Sequence, residues 1–296
     1  MSELGPEGAQ RVAQLVTAAE NNLVDPFKEI DWSVKIDDDS VYHMPATLLP
    51  LYGTDLWEQM SEADRKIYSR HEASAQFASG TWFENILINA FMRHLYNLPA
   101  TDPLQRFLLT EVGEETRHSA MFGEYIRRSG TPAYLPSLWL RLQGGFMKLT
   151  ANRASFYIVI YAAESILDFV NRYTVSQKDL HPTYWKIIRI HLTEEERHIA
   201  FAKEYLSAAW PKMNIISKLW AKFYAPLIVF TIVQASVCKE VYSKLGILDG
   251  YRQAWNNPHR RKAVVSALSK YVAFLEEIGA IDISSRWLWR RFGLTS

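Results

Sequence analysis

The sequence is poor in cysteine, in surplus charge and in strand-like alternation, and each shortage excludes something. Cys238 is the one thiol among 296 residues, so no internal disulfide can form and no site can be built on several thiolates. Such cysteine usage suits a reducing compartment, and the expected location is the cytoplasm. A formal net charge of +1 leaves no basic footprint for nucleic acid. The opening MSELGPEGAQRVAQLV has neither the basic start nor the apolar stretch of a secretory signal. The most apolar run, Phe223 to Cys238, covers 16 residues and holds Pro226 and Gln234. A membrane span needs about 20 apolar residues, so this run reads as a buried helix and no membrane partner is expected.

What is present is helix-forming and rich in core material, 48% hydrophobic and 13% aromatic. Proline-bearing breaks punctuate it: NLPATDP at 97–103, SGTPAYLP at 129–136, DLHP at 179–182 and WPKMN at 210–214. Asp102 followed by Pro103 has the form of a helix N-cap with proline at the first helical position. Between the breaks the apolar period predicts helices over 63–97, 103–129, 137–177, 182–209 and 213–245, then a shorter pair over 258–278 and 281–291. The fold class expected is all-α, one domain over 1–296 built on a four-helix bundle, with the bundle over 63–209 and accessory helices over 213–291. The tryptophans, among them Trp82, Trp139, Trp185, Trp220 and Trp255, are scattered and read as core and interface anchors.

The stretch HLTEEERHIAFAKEYL, residues 191–206, breaks the rule that a bundle helix is apolar inside. His191, Glu195 and His198 fall on the same stripe as Ile188, Ala202 and Tyr205, while Glu194, Glu196, Arg197, Lys203 and Glu204 read as surface charge. A carboxylate in a dry core costs several kcal/mol unless it is paired or coordinates a metal. The intrusion recurs on three other helices. Glu84 lies seven residues from both Phe77 and Phe91; Glu115 and His118 fall between Leu108 and Phe122; Glu164 falls between Tyr157 and Leu167.

The intervals obey one rule. Glu84 to Glu115 is 31 residues, as is Glu164 to Glu195, and each Glu115-x-x-His118 or Glu195-x-x-His198 pair is spaced by three. Every member of the first set recurs 80 residues later, and Arg117 and Arg197 share that offset. Two helices each giving Glu and two giving Glu-x-x-His is the arrangement of carboxylate-bridged two-metal bundles. An isolated Glu-x-x-His arises readily by chance; a three-point repeat at constant offset does not. Mixed carboxylate and imidazole donors without thiolate favour two iron ions, with a mixed manganese–iron pair also compatible. Four carboxylates can neutralise two divalent ions inside a low-dielectric core.

His191 breaks the symmetry, because its counterpart 80 residues earlier is Glu111. Two readings stay open for His191: a third imidazole on one metal, or a histidine hydrogen-bonded to a ligand. Glu111 reads as an outer or solvated group. Tyr161 and Tyr205 lie near the ligands and invite a radical role, but packing explains both. The basic run HRRK at 259–262 reads as a solvated helix start that could dock an acidic reductase.

The pattern Glu84, Glu115-x-x-His118, Glu164, His191-x-x-x-Glu195-x-x-His198 resembles the ferritin-like di-iron N-oxygenases typified by p-aminobenzoate N-oxygenase. The words LYGTDLWEQM, SRHEASA, GTWFE, EETRHSAMF and EEERHIAFAKEYL carry the likeness over residues 50–206. It implies a ferritin-like bundle with those seven residues as ligands of two iron ions, and a reduced centre that uses dioxygen to oxidise an amine nitrogen. The implied partners are a small-molecule substrate, dioxygen and an external electron donor, and a homodimer is compatible. Two departures bear on substrate. Ser79 stands where the family's arylamine enzyme is expected to carry an arginine for the substrate carboxylate. Asp168, one turn beyond Glu164, is a candidate substrate-binding residue for a cationic amine or hydroxyl, or a structural hydrogen-bonding group. A carbon hydroxylase or desaturase with the same centre is the alternative within enzymes. Iron storage or a ferroxidase is the alternative outside, disfavoured because the chain continues to 296 after the last ligand helix.

Overall fold

A computed structural model describes residues 4–150 and 153–295. In chain order the helices are α1 (Gly5–Asn21), α2 (Pro26–Glu29), α3 (Asp55–Gln59), α4 (Glu62–Leu95), α5 (Pro103–Arg128), α6 (Leu138–Thr150), α7 (Arg153–Ser176), α8 (Pro182–Ala209), α9 (Ile215–Phe223), α10 (Ala225–Ala235), α11 (Lys239–Lys244), α12 (Gly250–Asn256), α13 (Pro258–Glu277) and α14 (Arg286–Arg291). Among the described residues extended pairing is confined to one bridge, Tyr42 to Leu180. The all-α expectation holds.

The ends of the long helices are set by their caps. Ser61 Oγ accepts from Asp64 N at 3.1 Å to start α4, and Asp102 accepts from Leu104 N at 2.9 Å to start α5 with Pro103 in its first turn. Both satisfy donors that the first helical turn leaves free. Asn257 caps α13 through His259 N at 2.9 Å, and its Nδ2 donates to the carbonyls of Pro50 and Tyr52 at 2.8 and 2.9 Å. One side chain thus starts a helix and ties it to the segment before α3.

Short connections make α4–α5 and α7–α8 antiparallel hairpins, and these face one another through α5 against α8 and α4 against α7. That is the ferritin-like bundle. Helix α1 lies on α5 and α8, α6 on α4 and α10, and both α10 and α13 cover α7. Apolar residues fill the bundle at two levels. One group gathers Phe91, Phe107, Tyr157 and Phe201, and the other Tyr68, Phe77, Tyr125 and Tyr184.

Three helical expectations are corrected. The segment 213–245 is not one helix but α9, α10 and α11, with a break at Tyr224. Pro226 lacks an N–H and its ring would meet a carbonyl one turn back, so the chain restarts with proline in the first turn of α10. The segment 137–177 is described as α6 and α7; residues 151 and 152 lie outside the described residues. The last helix occupies only Arg286–Arg291 of the expected 281–291. Helix α1 was not anticipated, although Val12, Val16 and Ala19 repeat at helical spacing and are buried. Ala154–Ser176 has the length and mean hydropathy of a membrane span, yet 67% of its most apolar window is buried within the fold.

Candidate metal centre

Helical period places the polar groups. On α4, Phe77, Glu84 and Phe91 lie two turns apart and are all about 2% exposed, so the helix that buries two phenylalanines buries the glutamate between them. The same logic takes Glu115 and His118 inward on α5, Glu164 on α7, and His191, Glu195 and His198 on α8; all are buried. The cluster therefore sits midway along the bundle, between the two aromatic groups.

The structure brings all seven to one place. Donor atoms of Glu84, His118, His191 and Glu195 lie within 4.8 Å of one another, as do those of Glu115, Glu195 and His198. Glu195 belongs to both sets and stands at the centre. His191 Nε2 is 3.0 Å from Glu195 Oε1 and 3.4 Å from Glu84 Oε1. His198 Nδ1 is 2.7 Å from Glu195 Oε2 and 3.0 Å from Glu115 Oε1. His118 Nδ1 is 3.0 Å from Glu115 Oε2 and 3.4 Å from Glu195 Oε1. Glu164 stands outside these tight sets and meets the cluster through Glu195.

Electrostatics divides the carboxylates. Burial pushes Glu84 up to about 8, with the neighbouring charge of Glu115 adding to it. Burial and Glu195 hold Glu164 well above the usual carboxylate range. Burial also opposes ionisation of Glu115, but the charge of His198 and the hydrogen bond with His118 outweigh it and bring Glu115 to about 2. Glu195 is driven the same way by His198 and His191 against its own burial. Glu115 and Glu195 thus ionise against the imidazoles, while Glu84 and Glu164 are enclosed beside them and resist ionisation. Glu84 Oε1, Glu115 Oε1, Glu164 Oε2, Glu195 Oε1 and His191 Nε2 are enclosed without a hydrogen-bond partner. Groups left so would cost about 1–3 kcal/mol each or more. Oxygen and imidazole donors in this state fit divalent cations of the iron and manganese type.

An outer layer holds the imidazoles. His118 Nε2 faces Glu194 Oε2 at 2.6 Å, and His198 Nε2 faces Glu111 Oε2 at 2.5 Å. Each partner comes from the opposite helix, so each His Nδ1 is left turned toward Glu115 and Glu195. A carboxylate on one ring nitrogen fixes tautomer and raises the basicity of the other. Arg197 donates to Glu114 Oε1 at 2.6 Å, and Arg117 lies 3.6 Å from Glu194. This layer corrects the reading of Glu194 and Arg197 as surface charge: they are 1% and 8% exposed. The signal was available, because Glu114 and Glu194 share the 80-residue offset of the ligands. Glu111 is fully buried rather than solvated, and its donor atoms lie within 4.8 Å of those of Glu114 and His198. Asn171, which sequence reasoning missed, lies 3.0 Å from His191 Nδ1 through its amide.

Beside the cluster lies an apolar cavity of about 160 Å³, walled by α4, α7, α10 and α13. A second, smaller one of about 30 Å³ shares Phe83, Ala163, Leu167 and Ile232 with it and reaches Glu84 and Glu164. Ser79 lines the larger cavity. Asp168 is not brought there: Arg172 Nε donates to both its oxygens, at 2.8 and 2.9 Å, and links it to Glu196. Of the HRRK run, Arg260 is half-buried and lines the cavity together with the exposed His259, so the run is only in part a solvated helix start. Tyr161 packs edge-on to Tyr271, and Tyr205 against Tyr157 and His94, in keeping with the packing reading.

Comparison with known proteins agrees with this geometry. The uncharacterized protein Rv0885 of Mycobacterium tuberculosis and the uncharacterized protein Mb0909 of Mycobacterium bovis are each 29% identical over 301 residues, spanning 96% of this chain and 87% of the relative. The family model described as P-aminobenzoate N-oxygenase AurF matches residues 6–279, which take in the bundle, the buried Glu and His groups and most of the accessory helices. The chain belongs to the AurF family of di-iron oxygenases.

Proposed function

We propose that the protein is a non-haem di-iron monooxygenase that oxidises a small-molecule amine at nitrogen. The observation that carries this reading is the duplicated Glu and Glu-x-x-His set, each histidine held at its outer nitrogen by a carboxylate from the facing helix. Glu84, Glu115, His118, Glu164, His191, Glu195 and His198 would hold two iron ions, which when bound would supply the redox chemistry for activating dioxygen. The chain's own part is to neutralise the ions, fix the imidazole tautomers and keep water away with the flanking aromatic groups. In the net reaction one oxygen atom goes to the amine nitrogen and the other leaves as water. Two electrons from an external donor and two protons complete the balance.

The test is a single turnover of reduced, iron-loaded protein under ¹⁸O-labelled dioxygen with a panel of arylamines and aliphatic amines. We expect about two irons per chain and one labelled oxygen on the nitrogen of at least one amine. Label at carbon would make the protein a hydroxylase with the same centre. A fully loaded protein that consumes dioxygen, labels nothing and assembles into hollow shells would be an iron-storage protein instead.

A further inference from the structure

Glu72 lines the larger cavity from α4 and is 4% exposed, and its Oε1 is enclosed without a hydrogen-bond partner. A buried, unpaired carboxylate oxygen is costly unless something fills the place in front of it. The hydroxyls of Tyr68 and Tyr242, hydrogen-bonded to each other at 3.1 Å, stand close enough to Glu72 to favour its charged form against the larger effect of burial. Oε1 is thus a free acceptor in a cavity whose wall is otherwise largely apolar, with Met44, Leu49 and Ala75 among its residues.

Nothing already present neutralises it directly. Arg260 also lines the cavity, but its guanidinium donates to Val233 O at 2.5 Å and Ser236 Oγ at 2.8 Å and lies over the Trp255 ring at 5.5 Å. Gln76 accepts from Tyr184 at 2.7 Å. The far end of the cavity is different in kind: through Phe83, Ala163, Leu167 and Ile232 it adjoins the small space against Glu84 and Glu164. Glu72 and Glu84 are twelve residues apart on one helix, about 18 Å of axis at 1.5 Å per residue. The cavity of about 160 Å³ is wide enough for one ring or one alkyl chain. A molecule that touches both ends is therefore elongated and narrow.

We propose that Glu72 is the recognition residue of this site, receiving the ammonium of a slender, largely apolar amine whose opposite end reaches Glu84 and Glu164. The assignment rests on the oxygenase reading for what happens at that opposite end, and deepens it by naming the substrate class: α,ω-difunctional amines with a cationic remote group. Amines with a remote carboxylate are excluded by the same residue. Burial raises Glu72 to about 7, so above that pH it is ionised and matched to an ammonium.

The test is calorimetric titration of the full-length protein as purified, without reductant so that no turnover occurs, at about pH 8, with 1,8-diaminooctane and 8-aminooctanoate. The two probes differ only in the sign of one end. A charge-assisted hydrogen bond in a desolvated site corresponds to about ten- to a hundredfold in affinity, so the diamine is expected to bind at least about tenfold more tightly. Glu72→Gln should abolish that preference, and Ser79→Arg, which adds a cation to the same cavity, should reverse it. Equal affinities, tighter 8-aminooctanoate, or no binding of either probe to the wild-type protein overturns the assignment, whether or not the variants fold. A preference that survives in a folded Glu72→Gln protein also overturns it. Binding is read without chemistry, so loss of the nitrogen-oxygenation reading would leave this result standing, and the converse.

Discussion

His118 of α5 meets Glu194 of α8 at 2.6 Å, ring nitrogen to carboxylate, across the helix interface. His198 of α8 returns the contact to Glu111 of α5. Helices α5 and α8 are therefore joined by two crossed carboxylate–histidine links, and each link aims the other nitrogen of its ring at the central acids.

If those links orient the imidazoles, removing one should loosen metal without dismantling the bundle. Glu194→Ala is expected to weaken iron affinity by about ten- to a hundredfold, the usual effect of losing such an outer partner. Competition with a chelator of known affinity measures it. Unchanged affinity in a folded variant would mean that His118 is held by packing alone.

His191 is the residue without a counterpart in the first half, and Asn171 sits on its Nδ1. His191→Ala should keep its helical circular dichroism while losing iron or changing the visible spectrum of the iron-loaded protein. Asn171→Leu should give a milder version of the same change, because the amide selects which ring nitrogen faces Glu84 and Glu195. Full iron content with an unaltered spectrum in His191→Ala would place His191 among the outer groups.

Burial and the neighbouring acids hold Glu84 and Glu164 toward the protonated form, so the metal-free protein carries two buried carboxyls that resist ionisation at a cost. Glu84→Ala and Glu164→Ala should each lower metal loading yet leave the metal-free fold as stable as the wild type or more so. Chemical denaturation of metal-free protein decides this. A loss of more than about 2 kcal/mol in both variants would show that these acids are structural pairing groups.

Glu72 predicts a pH dependence with a definite sign. Its folded value of about 7 lies above the ordinary 4.5, so the folded state holds the proton more tightly than the unfolded chain does. The stabilisation from that proton is complete below about pH 4.5 and is lost as pH rises through about 7. The wild type should therefore lose on the order of 3 kcal/mol relative to Glu72→Gln between these limits. Denaturation curves of the two proteins at matched pH values measure the difference; parallel profiles would refute it.

The buried acids and histidines were legible because two periodicities coincide on them. Glu84 shows its burial by its spacing from Phe77 and Phe91, and the 80-residue offset confirms it from a different direction. The outer layer hid because it lies where a single helix looks solvated. Glu194 and Arg197 face away from the stripe of α8, and only the approach of α5 encloses them, a fact of tertiary packing rather than of local pattern. Asp168 and Arg260 show the same limit in opposite senses. One turn of helix was enough to put Asp168 beside Glu164 in sequence, but Arg172 on the next turn takes it. Arg260 looked like part of a charged helix start until α13 folded over α7. Helix α9 ends at Tyr224 because one proline outweighs an otherwise unbroken apolar period.

The four central acids and one side of the cavity wall come from different parts of the chain. Glu84, Glu115, Glu164 and Glu195 belong to α4, α5, α7 and α8, whereas Ile232, Arg260, Val264 and Ala267 of the cavity wall belong to α10 and α13. Glu72 and Ser79 share α4 with Glu84, so one side of the cavity is tied to the acids and the other is not. A change confined to α10 or α13 can resize or recharge the space in front of the acids without displacing any of them. Selection acting on these accessory helices would therefore alter what the bundle admits while the four acids keep their places.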